Sequence, residues 1–180
     1  MPTSVSGSAW IRTLVPREQG KERLSRESEK VKRLILASFH DDKIAPDPTR
    51  KAVVVGGMLE VPVEEKAIDQ LADQSGLVVG KWLIYASPEN INDVWKTIAS
   101  STLRNELGIG TKVSTAPKEG EHVICVYTRN YLDVDDVKGV RKRLAQLGFA
   151  KRLFYKPNIY TYLKIYSKTF PGIRASRYAE

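Results

Sequence analysis

The residue types best suited to bind a phosphorylated ligand occur in the second half of this 180-residue sequence. They are Lys112, Ser114, His122, Lys156, Tyr160, Tyr162 and Arg174. Lysine, arginine and hydroxyl groups satisfy phosphate oxygens, and tyrosine rings provide surfaces on which bases stack. These residues therefore form our candidate site for RNA, a nucleotide or another phosphate ligand.

A second group of cations lies on a predicted helix and at its exit. It comprises Arg141, Lys142, Lys151 and Arg152. A basic flank of this kind would supply affinity for nucleic acid that depends on salt and not on base sequence. An ordinary exposed helix would carry the same residues, so both interpretations stay open.

The net charge of +8 is concentrated near the C-terminal end. Residues 131–180 hold eleven basic and four acidic side chains, whereas residues 51–130 hold eight and ten. Such an asymmetry favours a polyanionic partner, although a solvated basic surface without a ligand is the alternative.

Several classes of protein are disfavoured by composition. The single cysteine, Cys125, cannot form an internal disulfide, which predicts a reducing, cytoplasmic environment, with a nuclear location as the alternative. Two histidines and one cysteine give no zinc motif, and both Gly-rich phosphate-loop motifs are missing from the sequence, so we expect no metal and no cofactor. No apolar run approaches the roughly 18 residues of a membrane span, and we expect no membrane partner.

The elements that must position these residues can be predicted from hydrophobic periodicity and end signals. Strands are predicted over 51–55, 81–86, 111–116, 122–128, 152–156 and 160–166. Helices are predicted over 22–39, 62–76, 88–107 and 133–147, with breaks between them such as the Pro-containing segment 41–50. Hairpins that alternate with helices favour an α+β fold, with a curved, mostly antiparallel sheet backed by helices on one face.

The pattern also predicts a simple domain organisation. Residues 1–20 form an N-terminal arm that is either flexible or docked by Trp10. Residues 21–180 form a single α+β domain, and the helix and strand signals are clearest over 80–180.

Strand alternation separates the two faces of the predicted sheet. In the strand predicted over 160–166, the tyrosines and Lys164 lie opposite Leu163 and Ile165. In the strand over 111–116, Lys112 and Ser114 lie opposite Val113. The helix-free face is thus expected to carry lysines, a hydroxyl and tyrosines. The strand that holds His122 is apolar on both faces, so the face of this residue is left open.

A series of specific segments carries a resemblance to a known family. These are Gly80-Lys81-Trp82-Leu83-Ile84, His122-Val123-Ile124-Cys125-Val126-Tyr127-Thr128, Tyr155-Lys156-Pro157-Asn158 and Gly172-Ile173-Arg174. In this order they resemble the basophilic leukaemia expressed protein family over roughly the last 100 residues, so residues 80–180 are the family-like core of the predicted domain. Asn158 stands where the family has Asp. The resemblance implies the fold of the cap-binding translation initiation factor 4E, and it supplies no activity.

The positions of the aromatic residues in the sequence disfavour cap binding. Recognition of a methylated base needs two sandwiching rings, one of which the initiation factor places shortly before the segment that resembles Gly80–Ile84. Residues 61–79 contain no aromatic side chain. By the resemblance, Trp82 and Trp95 correspond to core tryptophans, which leaves Trp10 unassigned.

Three functions remain as alternatives. The first is a non-catalytic module that binds RNA or a nucleotide. The second is an enzyme that acts on a phosphorylated substrate, with Lys112 or Lys156 as base or anion clamp, His122 as general acid or base, and Arg174 on the phosphate. A phosphothreonine-lyase label attached to some distant relatives suggests its reaction class. The third is an adaptor that binds a protein partner through the N-terminal helix. Whether the protein is an enzyme is left open.

Overall fold

The computed structural model describes residues 10–14, 25–39, 51–166, 170 and 172–180. The chain divides into two compact units. Unit 1 comprises Met1–Glu18, Gly80–Tyr155 and Tyr178–Glu180, and unit 2 comprises Gln19–Val79 and Lys156–Arg177. The predicted break over 41–50, the first residues of the helix predicted from 22, and most of the predicted arm lie outside the described residues.

The described residues form the following elements. The strands are β1 (Trp10–Leu14), β2 (Ala52–Val55), β3 (Leu59–Pro62), β4 (Gly80–Ala86), β5 (Gly110–Ser114), β6 (His122–Thr128), β7 (Phe154–Pro157) and β8 (Tyr178–Ala179). The helices are α1 (Arg26–Phe39), α2 (Glu65–Ser75), α3 (Ile91–Leu103), α4 (Val134–Gln146) and α5 (Asn158–Tyr162).

A six-stranded sheet with the order β1-β5-β6-β4-β7-β8 organises unit 1. The pairs β1/β5, β5/β6, β4/β6 and β7/β8 are antiparallel. Helix α3 packs on β1 and β5, and α4 packs on β6. The predicted α+β class with an antiparallel sheet is therefore confirmed.

The core of unit 1 lies between this sheet and the helices. Trp82 is fully buried, and its indole Nε1 donates a hydrogen bond to the Val137 carbonyl of α4 at 3.0 Å. The ring of Tyr155 packs edge to face on Trp82, with centroids 5.1 Å apart, and the Tyr155 hydroxyl is hydrogen-bonded to the Thr128 hydroxyl. A Cβ at Gly80 would collide with that hydroxyl, so the Gly-Lys-Trp segment needs glycine here.

Unit 2 has its own core, built from α1, α2, α5 and the β2/β3 hairpin. Ile35, Ile68 and Ile159 are fully buried in it. Arg177 bridges the carboxylates of Glu65 and Asp69, at 2.6 and 2.8 Å, and so ties the C-terminal segment of this unit to α2.

The prediction of a strand over 160–166 is wrong. Its first residues belong to α5, where the Leu163 amide donates to the Ile159 carbonyl at 2.9 Å, and Lys164 ends the turn with a φ of 56°. The alternation of tyrosine with Leu163 and Ile165 suggested a strand, but the chain forms a short helix and a turn here. These bury Tyr160, Leu163 and Ile165 in unit 2 and leave Tyr166 exposed. Tyr160, which we expected on a free face, is fully buried.

Two predicted helix starts are also wrong. Pro62 ends β3, opposite Ala52, and α2 begins only at Glu65. Ser87 accepts backbone bonds from Asn90 and Ile91 in a turn that precedes α3. Both positions carry residues that favour turns as well as helix ends, and the local pattern does not distinguish the two.

Other end signals acted as expected. Asp133 caps α4 by accepting hydrogen bonds from the Asp135 and Asp136 amides, and Gly148 follows that helix with a φ of 96°. Gly76 ends α2 in the left-handed region, with a φ of 65°. Strand β1 was not predicted, because its five residues show no strict alternation and pair with β5 about a hundred residues away.

Candidate nucleic-acid interface

We call one surface of the sheet the open face: it is the face of β1, β5, β6 and β4 that is turned away from α3 and α4. Its side chains form three rows across the four strands, as the strand register shows. The first row is Trp10, Ser114, Val123 and Tyr85. The second row is Arg12, Lys112, Cys125 and Leu83. The third row is Leu14, Gly110, Tyr127 and Lys81.

Burial alternates along the strands and thereby separates the two faces. Val113, Ile124 and Trp82 alternate with the open-face residues and are completely buried beneath the helices. Most side chains of the three rows are partly or largely exposed, and Cys125 is the buried exception in the second row. The sequence folds this way because each strand places its most apolar residues at every second position.

Three cations lie in these rows, and none of the twelve positions carries Asp or Glu. Arg12 on β1 lies directly opposite Lys112 on β5. The Lys112 ammonium lies 3.9 Å from the centroid of the Trp10 ring, and the Lys81 ammonium lies 6.0 Å from that of Tyr127. The open face thus combines positive charge with aromatic rings, and the Lys112 ammonium lies in close contact with the Trp10 ring.

The titration of these lysines reflects their surroundings. Burial, with a further contribution from the charge of Lys112, lowers the pKa of Lys81 to about 8, while Cys125 acts in the opposite direction. Burial and the charge of Arg12 lower the pKa of Lys112 as well. Each of these neighbouring cations thus disfavours the charged form of the next one. The local potential is positive, and a bound anion would reduce it.

The aromatic residues of the rows differ in exposure. Tyr85 is 52% exposed, whereas Trp10 and Tyr127 are half-buried. The pKa of Tyr85 is raised by burial, then by Cys125 and Glu121, so its hydroxyl stays neutral at physiological pH. Glu121 directly precedes β6 and is a carboxylate that acts on this end of the first row.

Of the predicted site residues, the structure places Lys112 and Ser114 on the open face. The Ser114 hydroxyl accepts a hydrogen bond from the Val123 amide at 3.0 Å, which links β5 to β6. His122 is 1% exposed and pairs with Ala86 on the helix side of the sheet. Its Nδ1 donates to the Ser114 carbonyl at 2.9 Å, so its role in the structure is to hold the hairpin.

The other four predicted residues, Lys156, Tyr160, Tyr162 and Arg174, belong to unit 2 and lie on none of the four strands. Lys156 is 8% exposed, and its ammonium donates to the Ile165 carbonyl at 2.7 Å and lies 3.9 Å from the Tyr166 ring centroid. The pKa of Tyr160 is raised to about 12, chiefly by burial. Tyr162 packs edge to face on Phe39, and Arg174 is exposed.

The predicted basic flank is divided by the structure. The Arg141 guanidinium donates to the carbonyls of Phe149, Lys151 and Glu180 at 3.1 to 3.3 Å, and so fastens the C-terminus of the chain. Lys142 and Lys151 are exposed, as is Arg152, whose guanidinium lies 5.6 Å from the Phe154 ring centroid. Arg141 is therefore a structural residue in this conformation.

A polar groove of about 470 Å³ runs beside α4. Its lining alternates in charge, with Glu106, Asp135 and Asp136 beside Lys142 and Arg143. This mixture does not favour a phosphate group. Within the described residues, no cluster of His, Cys, Asp or Glu is suited to hold a metal ion, and no helix is long and apolar enough to cross a membrane.

Five residues of the open face were not predicted from the sequence, namely Trp10, Arg12, Lys81, Tyr85 and Tyr127. Lys81 and Tyr85 lie in a correctly predicted strand, and strand alternation relative to Trp82 would have placed both on one face. Trp10 and Arg12 could not be found locally, because only the pairing of β1 with β5 brings them to this surface.

The fold and the site together define an α+β protein whose antiparallel sheet is covered by helices on one face and carries a cationic, aromatic surface on the other. The chain belongs to the family described as basophilic leukemia-expressed protein Bles03, whose model matches residues 4–164. The match confirms the family resemblance and extends it well into the N-terminal part, whereas Gly172-Ile173-Arg174 lies outside the matched residues.

The solved structures to which the chain is similar include initiation factor 4E proteins. The chain is 11% identical to Ascaris suum eIF4E-3 in complex with an m7G cap, with a TM-score of 0.43 over 94% of this chain and 93% of that one. It is 11% identical to C. elegans eIF4E-3 in complex with the 4E-binding protein Mextli and a cap analog, with a TM-score of 0.41 over 83% and 89%. A second Ascaris suum complex, with an m2,2,7G cap, gives 15% identity and a TM-score of 0.32 over 45% of this chain and 51% of that one. In that last comparison the chain spans about half of the matched protein.

Proposed function

We propose that this protein is a non-catalytic module that binds RNA or a nucleotide through the open face of unit 1, in the cytoplasm. The observation that supports the proposal is the grouping of Arg12 and Lys112 beside Trp10, with Lys81 beside Tyr127 on the same face and no carboxylate in these rows.

The chemistry of these groups matches such a ligand. Arginine and lysine donate charge-assisted hydrogen bonds to phosphate oxygens, and an aromatic ring stacks on any base. Lys112 already contacts the face of Trp10, so a phosphate bound there would lie next to a stacked base. Binding by this mechanism has little dependence on base sequence and a strong dependence on salt.

The two alternatives find less support in the geometry. A phosphate-directed enzyme would use His122 as its acid or base, but this residue is buried on the helix side and is bonded to the Ser114 carbonyl. An adaptor would present the apolar stripe of α1, but α1 packs on α2 and α5, with Ile35 completely buried.

The proposal can be tested by fluorescence anisotropy with a labelled, unstructured RNA of mixed sequence. We expect affinity to fall steeply between about 50 and 200 mM salt. Lys112→Ala and Arg12→Ala should each weaken binding and lower the salt slope by about one. Lys96→Ala removes the same charge from an exposed position on α3 and serves as the matched control.

An RNA pool and common nucleotides that show no binding at low salt would refute the proposal. Equal losses for Lys112→Ala and Lys96→Ala would place the ligand elsewhere and would refute the assignment to the open face.

A further inference from the structure

We infer that the open face takes a single-stranded RNA segment of about four nucleotides, which crosses the strands from Trp10 to Tyr85, in preference to a mononucleotide. This inference rests on the proposed function and deepens it, because it names the ligand class and the direction in which the ligand lies.

The first row sets the length. Trp10 and Tyr85 occupy its two ends, on β1 and β4, with Ser114 and Val123 between them. Neighbouring strands lie about 4.8 Å apart, so three strand spacings separate the two aromatic residues by roughly 14 Å. A single base cannot touch both rings. Stacked bases rise by about 3.4 Å, so about four nucleotides reach from one ring to the other.

The second and third rows provide the contacts for the backbone. Arg12 and Lys112 lie next to the Trp10 end, two residues along β1 and β5 from the first row. Lys81 lies on β4, the strand that carries Tyr85. The cations therefore lie obliquely to the aromatic row. A strand of phosphates laid beside the stacked bases would meet Arg12 and Lys112, and Lys81 adds positive charge further along β4, in the third row.

Charge at the Tyr85 end fixes which part of the ligand lies there. Glu121 is close enough to contribute to the raised pKa of Tyr85, and this carboxylate disfavours a phosphate at that position. A neutral base can stack on the exposed ring of Tyr85 without this cost. The same face does not suit a duplex, whose bases are already stacked and paired and are not available to aromatic side chains.

The test is a series of otherwise identical labelled RNAs of one, two, four, six and eight nucleotides, titrated into the full chain. We expect affinity to rise by at least about tenfold from one to four nucleotides and to change little beyond that. Tyr85→Ala should weaken the tetranucleotide about tenfold and leave the mononucleotide unchanged, whereas Trp10→Ala should weaken both. Tyr85→Phe keeps the ring and should bind like the parent protein.

The outcomes separate this inference from the proposed function. A mononucleotide that binds as tightly as the tetranucleotide overturns the length assignment and leaves the proposed function standing. An equal effect of Tyr85→Ala on both ligands overturns the crossing direction. If none of the RNAs binds, the proposed function fails and this inference fails with it. Tyr85 is half exposed, so its substitution should leave the circular dichroism spectrum unchanged.

Discussion

The ammonium group of Lys112 lies 3.9 Å from the centroid of the Trp10 ring. This contact joins the edge strand β1 to its neighbour β5 and brings a ring and a cation together on one surface. Trp10 therefore has two expected roles, one in the stability of the edge strand and one in ligand binding.

Truncation of Trp10 should loosen the edge strand. We expect Trp10→Ala to lower the free energy of unfolding by about 1 kcal/mol, because the cation–π contact and part of the apolar area of the ring are lost. Denaturant unfolding measures the change, and hydrogen exchange should show faster exchange at the β5 amides that pair with β1. Leu14→Ala, at a largely exposed position of the same strand, is the control. A loss of the same size in Leu14→Ala would contradict a specific role for the Trp10–Lys112 contact.

Ligand affinity should depend on pH through Lys81, whose pKa is lowered to about 8 in the free protein. A bound phosphate favours the charged ammonium and raises this pKa, so binding takes up a proton. Affinity should therefore decrease as the pH rises from about 7 to about 9, a range that brackets the pKa of Lys81. Lys81→Arg keeps the charge and should remove this dependence when affinities are measured across the same range. A parent protein whose affinity is constant from pH 7 to 9 would show that Lys81 does not contact the ligand.

The free energy of unfolding, unlike ligand affinity, should increase with pH in this range, because folding lowers the pKa of Lys81. The pKa of Lys81 is lowered from 10.5 to about 8 on folding, so the unfolded chain binds more protons between these values and stability rises with pH there. The raised pKa values of tyrosines such as Tyr160 act against this trend once unfolded tyrosines ionise near pH 10. The raised pKa of the Cys125 thiol also acts against the rise, and the lowered pKa of Lys112 adds to it. The rise is thus best measured by urea unfolding between about pH 8 and 9.5, as the difference from Lys81→Met, in which it should be smaller. A rise of equal size in Lys81→Met would assign the effect to another group.

Gly80 should tolerate no side chain. A Cβ there would collide with the hydroxyl and ring of Tyr155, both of which are held by Trp82 and Thr128. We expect Gly80→Ala to lower the free energy of unfolding by about 3 kcal/mol, measured by denaturant titration. Gly139→Ala is the matched control, because nothing lies within 4 Å of its added Cβ and it lies in α4. It should stabilise the protein by about 0.5 to 1 kcal/mol.

Arg141 and Lys142 are neighbours in sequence and should behave differently. Arg141→Ala removes the donors that hold the Phe149, Lys151 and Glu180 carbonyls, and we expect a loss of about 2 kcal/mol and release of β8. Lys142→Ala, at an exposed position, should leave unfolding unchanged. Thermal unfolding compares the two, and equal melting temperatures would contradict the structural role of Arg141.

The parts of the fold that depend on neighbouring residues were predictable. Strand β6 was predicted with its exact bounds, and α4 was predicted with its capping residue Asp133 and the glycine that follows it. Periodicity and capping act within one or two turns of chain, so they are visible in the sequence itself. The same local signal failed at Tyr160, where burial in unit 2 stabilises a short helix over residues whose alternation resembles a strand.

The sequence by itself determined the α+β class, the family resemblance and the candidate lysine Lys112, because these depend on residue type and spacing along the chain. Only the tertiary structure decided which residues accompany Lys112. Pairing of β1 with β5 brings Trp10 and Arg12 to it across about a hundred residues, and the register of β4 on β6 adds Lys81. The same packing buries His122 and fastens Arg141 to backbone carbonyls. Long-range strand pairing and the burial of polar groups are set by the whole fold, so no local pattern could have separated these residues from their neighbours.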